Sequence, residues 1–325
     1  MKKLLASLAA GIVIMGSLAG CTSSANTEET EKYRIGIVQP VDHPSLNQSR
    51  DSMISELDKL GMSDKVEIIL QNANGDMNLL QSIMQNLVAE EVDMIVAIAT
   101  PAAQAALSTT KEIPIVFAAV SNPVEAGLVK ELSKPDGNIT GVSNSIPVAD
   151  IIELSKILTP EVKTYGMVYN SSEINSVASI EKAKAYCDEN GILYKEVAIT
   201  TTADIQQAVA SLTGQVDAFF TPNDNMLASA MATYSQQAAE AGKPVYVGAD
   251  AMVSDGGLAT VGIDYNLLGE QTGRMINRII SGESIKDIPV ETVSEYAKII
   301  NVEIAEKLGI EIPKELENEF TKVGN

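Results

Sequence analysis

The chain of 325 residues has no tryptophan, four phenylalanines, one histidine and two cysteines. With only His43, Cys21 and Cys187 available, a Cys/His zinc site cannot be assembled, and no metal ligand set is expected. No Gly-x-x-x-x-Gly-Lys-Ser/Thr phosphate loop occurs, which excludes an ATPase built on that loop. No serine sits in a Gly-x-Ser-x-Gly elbow, so a hydrolase triad has no support. A Gly-rich dinucleotide fingerprint is also missing, because Gly36 stands alone inside a predicted strand. The expectation is therefore a protein without cofactor and without enzymatic activity. Basic residues are scarce as well: 23 Lys and Arg against 43 Asp and Glu give a formal charge of −20. Such a surface repels nucleic acid and anionic headgroups, so nucleic acid is excluded as a partner.

Long apolar runs are confined to the start of the chain. Lys2 and Lys3 precede an apolar stretch from Leu4 to Leu18 that Gly11 and Gly16 interrupt. This is the layout of a secretory signal, and it is too short to span a bilayer securely. Leu18-Ala19-Gly20-Cys21 resembles the lipobox of bacterial lipoproteins. The resemblance implies cleavage before Cys21 and a lipid such as palmitate on its sulfur. An uncleaved anchor, or a plain signal followed by a chance cysteine, would export the domain equally. Residues 1–20 are thus expected to be a signal peptide and the polar residues 21–32 a tether. Removal of the signal takes two lysines with it, moving the formal charge from −20 to −22 over 305 residues. With Cys21 lipidated, Cys187 is left alone and no intramolecular disulfide forms. Cys187 lies in the apolar-periodic stretch 180–192 and reads as a small core residue.

From Tyr33 onward, β-branched runs alternate with helical patterns, which predicts parallel βαβ units. Strands are predicted at 33–39, 65–71, 93–99, 113–119 and 139–143, with helices near 44–60, 76–89, 101–110 and 123–132 between them. The pattern then restarts, with strands at 164–169, 193–199, 216–220, 244–249 and 258–262. Helices near 173–190, 203–212 and 224–241 separate these. The strands lack polar alternation, as expected for sheets covered on both faces.

The halves read as copies. Val92-Asp93 opens one strand and Val216-Asp217 another, and seven residues after each aspartate stands a capping residue, Thr100 or Asp224. A helix follows, then a proline-led strand beginning at Pro114 or Pro244 and ending at Ser121 or Asp250. Duplicated α/β lobes hold a ligand between the copies. Beyond Gly262, a helix over 265–281, a strand over 291–300 and a helix over 302–309 suit a chain that crosses back to the first lobe and then returns.

At this point the sequence resembles the substrate-binding lipoproteins of ABC importers, in the branch with tryptophan- and tyrosine-binding members. The residues that carry the likeness run in order from Ile35-Gly-Ile-Val-Gln39 with His43-Pro44 to Ala99-Thr-Pro-Ala102 and Ala119-Val-Ser-Asn-Pro-Val124. They continue through Gly137-Asn-Ile-Thr-Gly141, Tyr169 to Ser176, and Asn301 to Gly309 before Ile312-Pro313. The resemblance implies an α/β fold of two Rossmann-like lobes with parallel sheets and a three-stranded hinge, the type I periplasmic-binding-protein fold. Residues 33–143 plus 263–283 would form the N-terminal lobe, and 144–262 plus 284–325 the C-terminal lobe. Hinge strands would lie near 143–147, 262–265 and 282–290. It further implies a monomer on the extracytoplasmic face of a bacterial cell membrane, anchored through Cys21. Such a protein hands a small molecule, an aromatic amino acid by resemblance, to separately encoded permease and ATPase subunits. A sensing or surface-interaction lipoprotein on the same fold is the alternative.

In open α/β sheets, ligands bind at the carboxyl ends of the strands against helix N-termini. That rule selects Gln39 through Ser45, then Thr100 and Ala102, then Ser121 and Asn122 in the first half. In the second half it selects Asn170, Glu173, Ser176, Asn223 with Asp224, and Asp250. Amides and hydroxyls at Thr100, Ala102, Ser121 and Asn122 suit a carboxylate, and Asp250 or Glu173 suits an ammonium. Each Thr, Ser, Asn and Asp is equally an ordinary helix cap, and Glu173 is equally a first-turn helix acid. Tyr169, Phe117 and Tyr265 are the aromatic candidates for stacking a ring, with strand or hinge packing as their alternative. His43, before Pro44 at a helix start, is expected to position or cap rather than to catalyse.

Overall fold

The computed structural model describes residues 32–324 except 136 and 294, so the signal, Cys21 and most of the tether lie outside the described residues. The first half folds as β1 (Tyr33–Gln39), α1 (Pro44–Lys59), β2 (Val66–Asn72), α2 (Met77–Ala89), β3 (Met94–Ile98), α3 (Thr100–Thr109), β4 (Ile115–Val120) and β5 (Ile139–Ser143). The second half has α4 (Val148–Leu158), β6 (Thr164–Asn170), α5 (Ile174–Asn190), β7 (Leu193–Ile199), α6 (Ile205–Thr213) and β8 (Ala218–Thr221). It continues with α7 (Asn225–Ser229), α8 (Met231–Glu240), β9 (Val245–Val247), α9 (Asp250–Ser254) and β10 (Ala259–Ile263). The tail adds α10 (Tyr265–Ile280), β11 (Glu291–Thr292), β12 (Tyr296–Asn301), α11 (Val302–Leu308), α12 (Lys314–Glu317) and β13 (Thr321–Val323).

Two sheets result. One runs β11-β5-β4-β3-β1-β2 and the other β13-β12-β10-β9-β8-β6-β7. Apart from the antiparallel pair β10/β12, the strand pairs are parallel. The shared order 5-4-3-1-2 and 10-9-8-6-7 is the duplication in three dimensions. The repeated aspartates explain part of it. Asp93 Oδ2 accepts the backbone N–H of Arg34 at 2.7 Å, and Asp217 Oδ2 accepts those of Lys163 and Thr164 at 3.0 and 2.9 Å. Each carboxylate thus ties the start of its sheet's first strand to the next.

Every residue of β3 and β4 is buried. Each Ile, Val or Phe there contributes roughly 1.5–3 kcal/mol relative to exposure, which fixes the centre of the sheet. On the hinge side of the first lobe, α10 packs along α1. A Cβ on Gly269 would lie 2.3 Å from the Ser49 carbonyl oxygen, and one on Gly273 2.9 Å from that of Met53, so only glycine lets the helices meet this closely.

Several expectations are corrected. Residues 123–132 form turns rather than a helix, because Asn122 caps Glu125 and Gly127 adopts a left-handed φ of 72°. The helix over 224–241 is broken at Ala230 (φ −121°, ψ 21°) into α7 and α8. Thr100 lies inside α3, and Ala99 caps it with φ 74°. The single strand over 291–300 divides: Glu291–Thr292 pair with Val142–Ser143 of the first sheet, whereas Tyr296–Asn301 pair with β10 of the second. The third crossing therefore lies between Thr292 and Tyr296 rather than at 282–290. Helix α4, which the strand-helix reading passed over, follows the first crossing and packs on β9, β10 and α5 of the second lobe. It buries Val148, Ile151, Ile152, Leu154, Ser155 and Leu158.

Candidate functional site

The carboxyl ends of β1, β3 and β4 face those of β6, β8 and β9 across a cleft. Its outer part, about 600 Å³, is lined from the first lobe by Pro40, Val41, Met77, Pro101 and Gln104, among others. From the second lobe come Asn170, Glu173, Ile174, Asn175, Thr200–Thr202, Asn225 and Met226. Beneath lies a much smaller cavity of about 10 Å³, bounded by His43, Ser45, Ala119, Ser121, Asn144, Asn175, Asn223, Asp224, Asn225 and Tyr265, among others. The volume of the outer cleft is in the range of small-molecule sites. Charged side chains on the two walls are acidic: Glu173 on the outer cleft and Asp224 on the inner cavity, with no Lys or Arg.

The second-lobe wall is organised by Glu173. Its Oε1 accepts from Asn170 Nδ2 (3.1 Å) and the Met226 N–H (3.3 Å). Its Oε2 accepts from Asn175 Nδ2 (3.1 Å) and from the N–H and Nδ2 of Asn225 (3.2 and 2.5 Å). Beside it, Asp224 caps α7 through the Leu227 N–H at 2.9 Å and accepts from the Asn170 N–H at 2.6 Å and Ser176 Oγ at 2.5 Å. Burial, reinforced by the charge of Glu173, pushes the Asp224 carboxyl up to about 7.

The first-lobe wall is strained where it meets the cavity. Ala99 and Ala119 both have positive φ, 74° and 59°, at the carboxyl ends of β3 and β4. Such backbone costs about 1–3 kcal/mol per residue, and it persists where the surroundings hold it, often at functional sites. The hinge supplies Asn144, which accepts from Ser121 Oγ at 3.0 Å and donates to the Tyr265 hydroxyl at 2.9 Å. Its carbonyl accepts from Asn223 Nδ2 at 3.3 Å. His43 reaches across the cleft, its Nε2 3.4 Å from Asn225 Oδ1. Burial holds its imidazole down at about 4, against the opposing pull of Asn225 and Asp42.

Of the residues selected from sequence, Pro40, Val41, His43, Ser45, Ser121, Asn170, Glu173, Asn223, Asp224 and Tyr265 line these cavities. Gln39, Thr100, Ala102, Asn122, Tyr169, Ser176 and Asp250 do not. Gln39 is tied to Asn47 and Arg50 of α1. Thr100 and Ala102 are buried in α3, whose Pro101 and Gln104 face the cleft instead. Asn122 bonds Glu125 at both ends of its amide. Ser176 and Asp250 are buried behind the wall, Ser176 on Asp224 and Asp250 Oδ1 on the Ala251 N–H at 2.7 Å. The Tyr169 hydroxyl is raised by burial and by Glu196 of β7 and is not part of the cleft.

The aromatic expectation changes accordingly. Phe117 is fully buried against Gly141, and Tyr265 offers its hydroxyl to the inner cavity rather than a ring face to the outer one. His43 makes no side-chain cap on α1. Sequence reasoning passed over Asn144, Asn175 and Asn225. Asn175 and Asn225 sit in the first turn of α5 and α7, inside the loops selected, and the helix-start rule could have found them. Asn144 carries no such signal. Among the described residues, no group of three or more His, Cys, Asp or Glu is arranged to hold a metal ion, and no helix is long and apolar enough to cross a membrane.

Comparison with known proteins gives a consistent result. Residues 34–323 match the family model described as ABC transporter substrate binding protein. The chain is 38% identical over 321 residues to the tyrosine-binding protein of Clostridioides difficile (strain R20291), covering 95% of this chain and 93% of that protein. Among solved structures it is similar to the ABC domain in complex with L-Trp from Streptococcus pneumoniae. That chain is 41% identical, with a TM-score of 0.87, over 90% of this chain and 100% of that one. It is also similar to the ligand-free, open structure of a substrate binding protein with adhesive properties from Clostridium difficile. Here the identity is 40% and the TM-score 0.70, over 90% of this chain and 99% of that one. At nearly equal identity, the better superposition is with the complex. This agrees with the His43–Asn225 contact across the cleft.

Proposed function

The chain belongs to the ABC transporter substrate-binding protein family, and from that premise we propose that its ligand is an aromatic amino acid, L-tyrosine or L-tryptophan. The architecture is the type I periplasmic-binding-protein fold, two parallel-sheet lobes around a cleft. The observation that carries the ligand reading is the composition of that cleft. Its charged walls, Glu173 and Asp224, suit a cation, and α1, α3, α5 and α7 begin at it. Helix N-termini favour a carboxylate without a basic side chain. Between these polar ends, Pro40, Val41, Met77, Pro101, Ile174 and Met226 offer an apolar bed for a ring. A zwitterion with a large apolar side chain fits all three features, and the names of the relatives point the same way.

Binding closes the lobes about the three crossings, because contacts to both walls shift the population toward the closed form. The closed, loaded monomer then docks on a membrane permease served by an ATPase, and the protein catalyses no reaction itself. Cleavage before Cys21 and a lipid on its sulfur hold the domain on the extracytoplasmic face of the bacterial membrane, where tethering raises its concentration at the permease. Isothermal titration of the untagged protein with the twenty amino acids tests the ligand. Saturable binding of L-tyrosine or L-tryptophan is expected. A folded protein, ligand-free at the start, that binds neither would overturn the assignment.

One observation favours a second role on the same fold: the similar protein from Clostridium difficile is described as having adhesive properties. A surface-interaction role predicts that the intact lipoprotein promotes attachment of cells to host surfaces when its cleft is blocked. Loss of attachment on deleting the gene, with no restoration by a cleft-blocked variant, would count against it.

A further inference from the structure

We propose that His43 is a proton gate on closure: the closed cleft admits its imidazole only in the neutral form, so that a ligand is held less tightly in acid. The inference rests on the lobe closure of the reading above, not on the identity of the ligand.

His43 stands on the first-lobe side of the cleft, between β1 and the start of α1. It makes no side-chain cap on α1. Among the described residues, its one side-chain bond crosses to the other lobe, from Nε2 to Asn225 Oδ1 at 3.4 Å. The residue is only 5% exposed, and second-lobe residues such as Asn175, Asp224 and Met252 bound the same cavity. Opening the lobes therefore returns the ring to water, and closing them removes it.

Glu173 decides what the closed form asks of that ring. Its carboxylate takes Asn225 Nδ2 at 2.5 Å, which turns Asn225 Oδ1 toward His43. An amide oxygen only accepts, so Nε2 carries a proton. Nδ1 is then the atom that gains or loses the second one, and it is buried without a partner in the protein. A proton there makes a buried cation, and among the described residues no carboxylate bonds the ring.

The charged and titratable groups around His43 do little to offset this. Asp42, beside it in the chain, is exposed. Glu173 lies behind Asn225 with both oxygens engaged. Asp224 is raised by burial, so it takes up its own proton before His43 does, and Asp250 of α9 is raised in the same way. Asp264 is spent on capping α10, the Tyr265 hydroxyl accepts from Asn144, and Arg50 of α1 pairs with Asp51. Burial prevails, lowering the imidazole from 6.5 to about 4.

With the lobes apart and the ring in water, His43 has its ordinary value near 6.5. Closing a protonated His43 sends the Nδ1 proton to solvent. Closure is thus unopposed above about pH 7, is opposed increasingly as pH falls below about 6.5, and meets no further opposition below about 4. For a protein open at rest, binding weakens about tenfold at pH 5.5 and about thirtyfold at pH 5 relative to neutral pH.

The chain's single histidine makes the test direct. NMR of the untagged protein labelled at histidine follows the ring from pH 4 to 8, with and without saturating L-tyrosine or L-tryptophan. The titration midpoint should lie near the ordinary value in the free protein and fall below about 5 in the bound one. The ratio of Kd at pH 5.5 to Kd at pH 7.5, by isothermal titration, should be about tenfold larger in wild type than in His43→Gln. Asp224 and Asp250 are present in both proteins, so the comparison isolates His43. A midpoint that is the same free and bound, or a ratio that is the same in both proteins, overturns the proposal. If the variant does not fold, the two wild-type midpoints decide alone. Should neither aromatic amino acid bind, the ligand reading fails by itself. The midpoint is then measured with the other amino acids and with the low-molecular-mass fraction of yeast extract. A fall with any of these sustains the gate, and an unchanged midpoint with all of them refutes it.

Discussion

Replacing Glu173 by glutamine keeps the shape of the side chain and removes one of its two accepting oxygens. The five donors that converge on Glu173 are Asn170 Nδ2, Asn175 Nδ2, Met226 N–H and both N–H groups of Asn225. If the remaining oxygen takes the Oε2 position, the new amide nitrogen faces Asn170 Nδ2 and the Met226 N–H, two donors against a donor. Each buried group left unmet costs about 1–3 kcal/mol. Losing a buried charge beside Asp224 returns part of that, so the net loss is roughly 2–3 kcal/mol. For a domain of this size that corresponds to a fall in melting temperature of about 4–10 °C.

The same substitution has a signature that simple destabilisation lacks. Asp224 is held up to about 7 by burial first and by the Glu173 charge second. A carboxyl whose folded pKa is raised contributes stability that is complete below its unfolded value near 4 and is lost as pH rises through the folded value. In Glu173→Gln the charge is gone and burial remains, so the upper edge of that window moves to lower pH. Asn225 is also freed to flip, which removes the acceptor that meets His43 across the cleft and should weaken binding that needs closure by about tenfold. Thermal unfolding followed by circular dichroism from pH 4 to 8, with and without L-tyrosine, reads all three effects. A melting temperature within about 1 °C of wild type at pH 7, with an unchanged pH profile, would refute the claim that Glu173 organises this wall.

Asp250 is pushed up to about 6, chiefly by burial. Its contribution therefore falls as pH rises from about 4 through about 6, and Asp250→Asn should gain about 1–2 kcal/mol on wild type at pH 8 while showing no gain at pH 4, by urea unfolding. Gly269→Val forces a side chain onto the Ser49 carbonyl, 2.3 Å from the new Cβ. It should destabilise by about 1–3 kcal/mol or more in thermal melts, whereas Val at the open turn of Gly214, where nothing approaches within 4 Å, should cost less. Cys21→Ala should release the protein from membranes in cell fractionation with ligand affinity unchanged; a loss of affinity in solution would break the proposed separation of anchor from site.

The parallel sheets were legible because burial on both faces removes polar alternation. β1, β5 and β7 fall at the predicted bounds, and the paired aspartates at 93 and 217 mark real backbone ties. Helix α4 was missed although its apolar positions recur at helical spacing; it begins just past the hinge expected at 143–147. The division of residues 291–300 between two sheets was not legible, because a β-branched run reads the same whichever sheet accepts it.

The site was half legible for a related reason. Strand-end logic selects loops, and the pleat of the strand or the turn of the helix then decides which of two adjacent side chains enters the cleft. Asn170 does and Tyr169 does not; Pro101 does and Thr100 does not. Asn144 and Asn225 matter through partners far away in sequence, Tyr265 and His43, and no local pattern announces such pairs.

Those distant pairs bear on how closure is made conditional on ligand. Bringing the lobes together withdraws His43 Nδ1 and Asn175 Oδ1 from bulk water, and no protein donor replaces it. At about 1–3 kcal/mol for each buried acceptor, closing over solvent alone is disfavoured by several kcal/mol. Closing over a ligand that donates to these atoms recovers that cost. Differential affinity of that size is enough to carry a two-state equilibrium from mostly open to mostly closed. The acceptors that raise the energy of an unfilled closed form would thus be the same atoms that meet the ligand's donors, so recognition and the trigger for closure cannot be separated by mutation. His43→Phe should therefore lower both together. Small-angle scattering of that variant should show partial closure without ligand and a smaller change on adding L-tyrosine than in wild type.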